Sequence, residues 1–373
     1  MKKVFASCLT FLFLQLAVCA QLYVTFQIIH EPSAHLYDAK FIAGDFNSWS
    51  PNDTSKKFIN KNLVLSLSPG KYEYKITRGN WFAGESDSMG KGLINRHFTL
   101  SSDTTILISI AGWNDDFNKK DIIPQHTASE NVHIIDSAFF MPQLNRYRKI
   151  WVYLPPGYKK NLKRYPVLYM HDGQNLFDNA TSYSGEWGVD EFLDSINKKN
   201  KQEVIVVGID NGGEFRMSEY NPYAFQNFKA EGKEYVDFLV KTLKPFIDKK
   251  YRTLLAKKFT FIAGSSMGGL ISLYAVMQYP SVFQAAGIFS PAFWTAPVLD
   301  SLVTKDASKV HAKLFFYAGG KESKSMVSDM MKIEGIIQKR STSKIYEKID
   351  PEAHHNEQAW RKYFPLFYKW AIE

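Results

Sequence analysis

Phe259-Thr260-Phe261-Ile262-Ala263-Gly264-Ser265-Ser266-Met267-Gly268-Gly269-Leu270 is the stretch on which the fold turns. Phe259 to Ala263 is near-continuously apolar, as a strand buried on both faces requires. A glycine-bracketed serine follows directly, and Ile271, Tyr274, Ala275 and Met277 then fall at roughly helical spacing, predicting a helix from near Leu270. Strand, sharp turn and helix form the context that gives a Gly-x-Ser-x-Gly string its meaning, that of a nucleophile elbow. In so tight a turn Gly264 and Gly268 must lack side chains. Ser266 then projects its Oγ above the sheet, and the N–H of Met267 points at the same space as an oxyanion donor.

Working outward, further apolar runs lie at Ile150–Leu154, Val167–Met170, Val204–Val207, Ala286–Phe289 and Leu314–Tyr317. An amphipathic pattern, Tyr235, Phe238, Leu239, Leu243 and Phe246, separates two of them. Strands alternating with helices over residues 131–373 predict a mostly parallel sheet covered on both faces, with its site at the carboxyl ends of the strands. An elbow serine needs a base and the base a carboxylate, in the chain order Ser, Asp/Glu, His. His311 precedes a strand, at the wrong end. His354 and His355 follow the strand 344–350, at the right one. For the acid, Glu322 follows the strand Leu314–Tyr317 through Gly319-Gly320-Lys321, Asp350 at the end of the next strand is the fallback, and Asp329 belongs to a helix face. The loop His171-Asp172-Gly173-Gln174-Asn175 offers the Gln174 N–H as second oxyanion donor, with His171 holding that loop rather than acting as base. Trp187, Arg216 and Trp294 lie in loops after strands and are candidates either to line an acyl pocket or to anchor those loops. The nine histidines show no metal-ligand spacing, so no metal and no cofactor is expected.

Upstream the periodicity changes. Leu22–Phe26, Leu63–Leu67, Tyr72–Ile76 and Thr105–Ile108 alternate apolar and polar residues, with Pro69-Gly70 and Arg78-Gly79-Asn80 as turns. Residues 21–115 therefore read as a small antiparallel sandwich of about seven strands, and 116–130, rich in Asn, Lys, Asp and Thr, as a linker. Residues 1–20 carry Lys2-Lys3, an apolar run from Cys8 to Val18 and Ala20 before Gln21, the pattern of a cleavable export signal. A secreted or periplasmic protein is expected. Leu16-Ala17-Val18-Cys19 approaches a lipoprotein cleavage box, but Val before Cys fits it poorly, so no lipid anchor is expected. Both cysteines of the chain, Cys8 and Cys19, lie within the signal, which excludes disulfides, thiolate catalysis and cysteine–metal sites from the remainder. The formal charge of +9, two of it from Lys2 and Lys3, is spread over short lysine pairs mixed with acids, a pattern of solvated faces rather than a nucleic-acid groove. No later apolar stretch is long enough to span a membrane.

With these motifs placed, residues 131–373 resemble the esterase D-like esterases, the group that includes feruloyl and acetyl-xylan esterases of carbohydrate esterase family one and the enterochelin esterases. The matching segments are Val152–Tyr158, His171–Phe177, Gly208–Gly212, Gly264–Gly269, Ser290–Trp294 and His355-Asn356-Glu357. The resemblance implies an α/β-hydrolase fold with Ser266 as nucleophile and, through His-Asn-Glu, His355 as base. It leaves the acid open between Asp and Glu. The first half is similar to immunoglobulin-like, early-set carbohydrate-binding modules related to glycogen-binding domains, through Phe41–Trp49 and Tyr72–Trp81. That similarity implies a sugar platform of Trp49, Trp81, Lys75 and Asn95. The acidic stretch Glu85-Ser86-Asp87-Ser88 departs from the glycogen-binding pattern. Together these readings imply a secreted serine esterase that removes feruloyl or acetyl groups from a plant polysaccharide such as xylan. The alternatives are a siderophore trilactone esterase and a carbohydrate-binding protein with an inactive hydrolase half.

Overall fold

The computed structural model describes residues 21–47, 49–117, 126–182, 185–197 and 203–372. The expected signal, residues 1–20, lies outside the described residues. The chain divides into two compact units, Met1–Ile122 and Ile123–Glu373.

The first unit is built of strands β1 (Leu22–His30), β2 (Phe41–Gly44), β3 (Asn62–Leu67), β4 (Gly70–Thr77), β5 (Glu85–Ser86), β6 (Arg96–Leu100), β7 (Thr104–Ser109) and β8 (Gly112–Trp113). They form two three-stranded sheets, β3-β1-β7 and β2-β4-β6, and a short β5-β8 pair. Alternation along each strand sends one set of side chains inward. Val24, Phe26 and Ile28 of β1 meet Leu63, Leu65 and Ile108 from their own sheet and Ile42, Tyr74, Ile76 and Leu100 from the other. One departure from the antiparallel expectation stands out: β1 and β7 pair in parallel, Val24 opposite Thr104 and Phe26 opposite Ile106. β6 and β7 belong to different sheets, so the turn between them crosses the core instead of closing a hairpin. Nothing then forces β7 to run against its neighbour.

The second unit holds β9 (Val132–Met141), β10 (Arg146–Tyr153), β11 (Val167–His171), β12 (Ile205–Ile209), β13 (Thr260–Ser265), β14 (Ala285–Phe289), β15 (Lys313–Gly319) and β16 (Lys344–Asp350). They make one eight-stranded sheet in the order β16-β15-β14-β13-β11-β12-β10-β9. From β12 to β16 all pairs are parallel, and β10 and β9 close one edge antiparallel. β11 to β14 are buried along their whole length, as their unbroken apolar runs foretold. The two faces carry separate cores, one around Ile150, Tyr169, Ile262 and Leu270, the other around Tyr153, Met170, Phe289, Phe315 and Phe364. Each such fully buried side chain contributes about 1.5–3 kcal/mol. The amphipathic stretch at 235–246 is one helical run from Gly232 to Lys250, widened to a π-turn over Leu239–Leu243. Pro245 follows that turn, and its missing N–H explains the lost regular bond.

The boundary between the units falls inside the stretch read as a linker. Asp115 and Asp116 pair with Arg78 and His35 of the first unit. The N–H groups of Thr127 and Ser129 donate to Asp178 (3.1 Å) and Asp190 (2.7 Å) of the second. Only 118–125 is left, and these residues lie outside the described ones.

Candidate active site

The elbow follows from sterics. A Cβ on Gly264 would stand 2.9 Å from the backbone of Gly268 and from the His171 ring, and one on Gly268 would stand 3.3 Å from His171 Cβ. Ser266 itself has φ 58° and ψ −120°, a strained backbone for a residue with a side chain. The helix starts at Met267, three residues earlier than periodicity indicated, and runs to Gln278. The reason is that Ser266 already acts as its N-cap: the N–H groups of Gly269 and Leu270 donate to its carbonyl at 3.0 and 3.1 Å. Met267 thus lies in the first turn, where a helix has no partner for its N–H.

The backbone of Ser266 is tied to the end of β14. Its N–H donates to Phe289 O (2.9 Å), and its carbonyl accepts from Ala292 N–H (3.0 Å). Between those two residues sits Ser290, whose Oγ lies 2.6 Å from Glu322 Oε1. Gly319 N–H donates to the same oxygen at 2.6 Å, and Glu322 Oε2 lies 2.7 Å from His355 Nδ1. The Glu322 carboxylate is fully buried, while the His355 side chain is 31 % exposed. Ser266, Glu322 and His355 therefore hang from the carboxyl ends of β13, β15 and β16, joined by a continuous chain of contacts. Asp350, the fallback acid, is engaged elsewhere: it accepts from Lys362 Nζ and Tyr363 OH, both at 2.8 Å, and from Glu352 N–H at 3.1 Å. These donors hold its carboxyl down at about 2. His354 is exposed, as is His311, which bonds Thr342 before β15.

The second loop is tightly held. Asp172 adopts the left-handed conformation, φ 56° and ψ 49°, and opens a 3₁₀ turn over Gly173–Asn175. A Cβ on Gly173 would meet the β12 backbone at 2.9 Å, which is why glycine stands there. Arg216 clamps Asp172 with two bonds, Nε to Oδ1 at 2.7 Å and Nη2 to Oδ2 at 2.9 Å, and Asn211 adds a third at 2.8 Å. Burial works against the Asp172 charge, but Arg216 and Asn211 outweigh it and keep the carboxyl below its ordinary value. Among the described residues, neither the Gln174 nor the Met267 N–H is spent on a protein acceptor. His171 is buried, bonds Tyr235 OH at 2.9 Å, and is driven by burial to about 3, so it stays neutral and packs the elbow.

The three residues read as acyl-pocket lining part company. Trp187 is a core residue, only 2 % exposed, packed at 5.0 Å on Phe289 and 5.8 Å on Trp360. Its large ring is worth most in the core, and its backbone N–H bonds Asn175 O at 2.8 Å. Arg216 is committed to Asp172. Trp294 alone remains open, lining a cavity of about 290 Å³ with Phe293, Pro297, Ser325 and Asp329. Sequence reasoning missed Ser290 and Trp360. The Trp360 Nε1–H donates to Ser290 Oγ at 2.9 Å, and its ring stands edge-on to His355 with centroids 5.1 Å apart. The only available signal was Ser290 at a strand end in the Ser290–Trp294 match.

In the first unit, Trp49 and Trp81 come together, ring centroids 6.3 Å apart, and both are half-buried. Trp49 Nε1–H donates to Asp45, and Asn95 Nδ2 donates to Glu73 at 2.9 Å. Lys75, opposite Ala43 in the β2–β4 pair, alternates with buried Tyr74 and Ile76 and so shares the outer face with Glu73. Among the described residues no group of His, Cys, Asp and Glu could hold a metal ion, and no helix is long and apolar enough to cross a membrane.

A mostly parallel eight-stranded sheet, with the elbow, the acid loop and the histidine loop at the carboxyl ends of β13, β15 and β16, defines an α/β-hydrolase of the esterase type. The family model described as Putative esterase matches residues 142–366, and the chain belongs to that family. Among curated proteins it is 27% identical over 196 residues to the uncharacterized protein YbbA of Bacillus subtilis, covering 50% of this chain and 74% of that one. It is 30% identical over 159 residues to an endo-1,4-beta-xylanase/feruloyl esterase of Xylanibacter ruminicola, covering 41% of this chain but only 21% of that much longer protein. Among solved structures, the enterobactin esterase FES of Shigella flexneri superposes with a TM-score of 0.50 at 15% identity, covering 88% of this chain and 89% of that one.

Proposed function

We propose that this esterase is a serine enzyme with Ser266 as nucleophile, His355 as base and Glu322 as the acid that orients it. The observation that carries the reading is the 2.7 Å contact between a fully buried Glu322 and His355, anchored beside the strained elbow. His355 Nε2 takes the Ser266 proton as Oγ attacks the ester carbonyl. The N–H groups of Met267 and Gln174 hold the oxyanion, and the imidazolium passes its proton to the departing alcohol. Water then repeats the sequence on the acyl-serine, returning the serine and releasing the acid. Ser266→Ala should lower hydrolysis of an aryl acetate by at least about 10³-fold; undiminished turnover would overturn the assignment.

For substrate, we propose feruloyl or acetyl esters on a plant polysaccharide such as xylan, met by a secreted or periplasmic enzyme. The similarity to a xylanase/feruloyl esterase supports this, as does the paired Trp49 and Trp81, which would stack on sugar rings with Lys75 and Asn95 beside them. The rival substrate is a siderophore trilactone, favoured by the enterobactin esterase whose length the chain matches nearly end to end. Release of ferulate from feruloylated xylan oligosaccharides, measured against hydrolysis of a catecholate trilactone, separates the two. Loss of xylan binding in Trp49→Ala and Trp81→Ala would support the sugar platform, and unchanged binding would remove it. An inactive hydrolase half would show as failure to react with a fluorophosphonate probe.

A further inference from the structure

We propose that Trp360 and Ser290 are positioning residues that set the direction of the hydrogen-bond chain through Glu322 and thereby select the tautomer of His355. The proposal rests on the reading of Ser266, His355 and Glu322 given above. It starts from a difference between donors. An indole N–H and a backbone N–H can only donate, whereas a hydroxyl has one proton to give and can also accept.

Trp360 Nε1 lies 2.9 Å from Ser290 Oγ, so that oxygen must accept. The single Ser290 proton is then free for Glu322 Oε1, 2.6 Å away. Gly319 N–H, also a pure donor, reaches the same Oε1 at 2.6 Å. An oxygen that receives two donors has no place for a proton of its own, and a carboxylate offers only acceptors. Oε2 is therefore an acceptor. The atom facing it at 2.7 Å, His355 Nδ1, carries the proton, which leaves the lone pair on Nε2, where the serine needs it. Direction is thus imposed from the indole outward. Orientation is fixed as well, because the Trp360 ring stands at 87° to the His355 ring and is itself backed by Trp187.

The backbone at Ser290 marks the position as one held for its side chain. It has φ 43°, in the left-handed region, and is completely buried. Glycine would suit that conformation better. A serine there accepts strain while placing its hydroxyl between the indole and the carboxylate.

Ser290→Gly removes the hydroxyl and keeps a backbone suited to φ 43°. It should lower kcat for an aryl acetate about 10- to 100-fold, the worth of a hydrogen bond to a charged group, with KM changed less than about twofold. The acid limb of the kcat–pH profile should move to higher pH. With one donor fewer, the carboxylate keeps more of its charge for the His355 Nδ1–H, 2.7 Å away, and holds the imidazolium more firmly. Trp360→Phe keeps a ring against His355 and removes only the donor, so it should move the limb the same way by less. The double variant should be no slower than Ser290→Gly, since the indole acts through the serine. If Ser290→Gly does not fold, the Trp360→Phe limb shift is the deciding measurement. A purely structural role would lower the melting temperature and leave the pH profile in place, and that result, or additive losses in the double variant, overturns the proposal. If Ser266→Ala is inactive while Ser290→Gly is normal, only this inference fails; if Ser266→Ala is fully active, the site reading fails first.

Discussion

Glu322 and Asp350 are carboxylates at the ends of adjacent strands, and their neighbours give them different work. Glu322 is sealed in with donors on one oxygen and an imidazole on the other. Asp350 is spent on Lys362, Tyr363 and the Glu352 N–H. Glu322→Gln should lower kcat about 10²- to 10⁴-fold in steady-state assays, because an amide can present its N–H to His355 and favour the wrong tautomer. Asp350→Asn should leave kcat nearly unchanged and lower stability instead. With its native pKa depressed to about 2 from an ordinary value of 3.8, Asp350 stabilises the fold above about pH 4. That stability is lost as pH falls through the window down to about 2. The gap in melting temperature between wild type and variant should therefore be constant near neutrality and close towards pH 2. Strand order alone puts both acids in reach of a histidine. What separates them is which side-chain donors face each one: Lys362 and Tyr363 from the helix after Asp350, Ser290 from the end of β14 for Glu322.

Among elements, the loop after β11 shows how much scaffolding a short turn requires. Gly173 lets it lie against β12, Arg216 neutralises Asp172 while Asn211 donates to it, and Trp187 holds Asn175 from behind. Arg216→Met would leave the Asp172 charge buried with only Asn211 beside it, a loss of about 3–5 kcal/mol by thermal or urea unfolding. Turnover should fall more than KM rises, because the Gln174 N–H would lose its fixed place. The elbow and its strand were legible in the sequence because steric demands there leave a local signature of glycines and an apolar run. Arg216 and Trp187 stayed open between pocket lining and loop anchors because a position after a strand says only that a residue is near the site. Whether its side chain faces the cleft or the core is decided by partners such as Asp172 and Trp360, which no local pattern reveals.

For the whole molecule, each unit has its own apolar interior. Phe26 is fully buried in the first, against Tyr74 at 5.1 Å and Phe98 at 5.5 Å. Phe26→Ala should cost that unit about 3–5 kcal/mol. A calorimetric scan should show an early transition, while aryl acetate hydrolysis below it stays at the wild-type rate. Coarse architecture was readable here because the change in period, from two in the first part to unbroken runs in the second, follows directly from whether a sheet is covered on one face or two. The parallel β1–β7 pair was not readable, since alternation says which face a residue takes and nothing about its neighbour's direction.

That pair has a consequence for how the protein is made. β1 is the middle strand of its sheet and precedes both its partners in the chain, yet its partner on one side does not exist until residues 104–109 have been synthesised. The contact is non-local, so its loop must close before any stabilisation is gained. The central strand of that sheet is thus obliged to wait, open and unpaired along one edge, until almost all of its own unit has been translated.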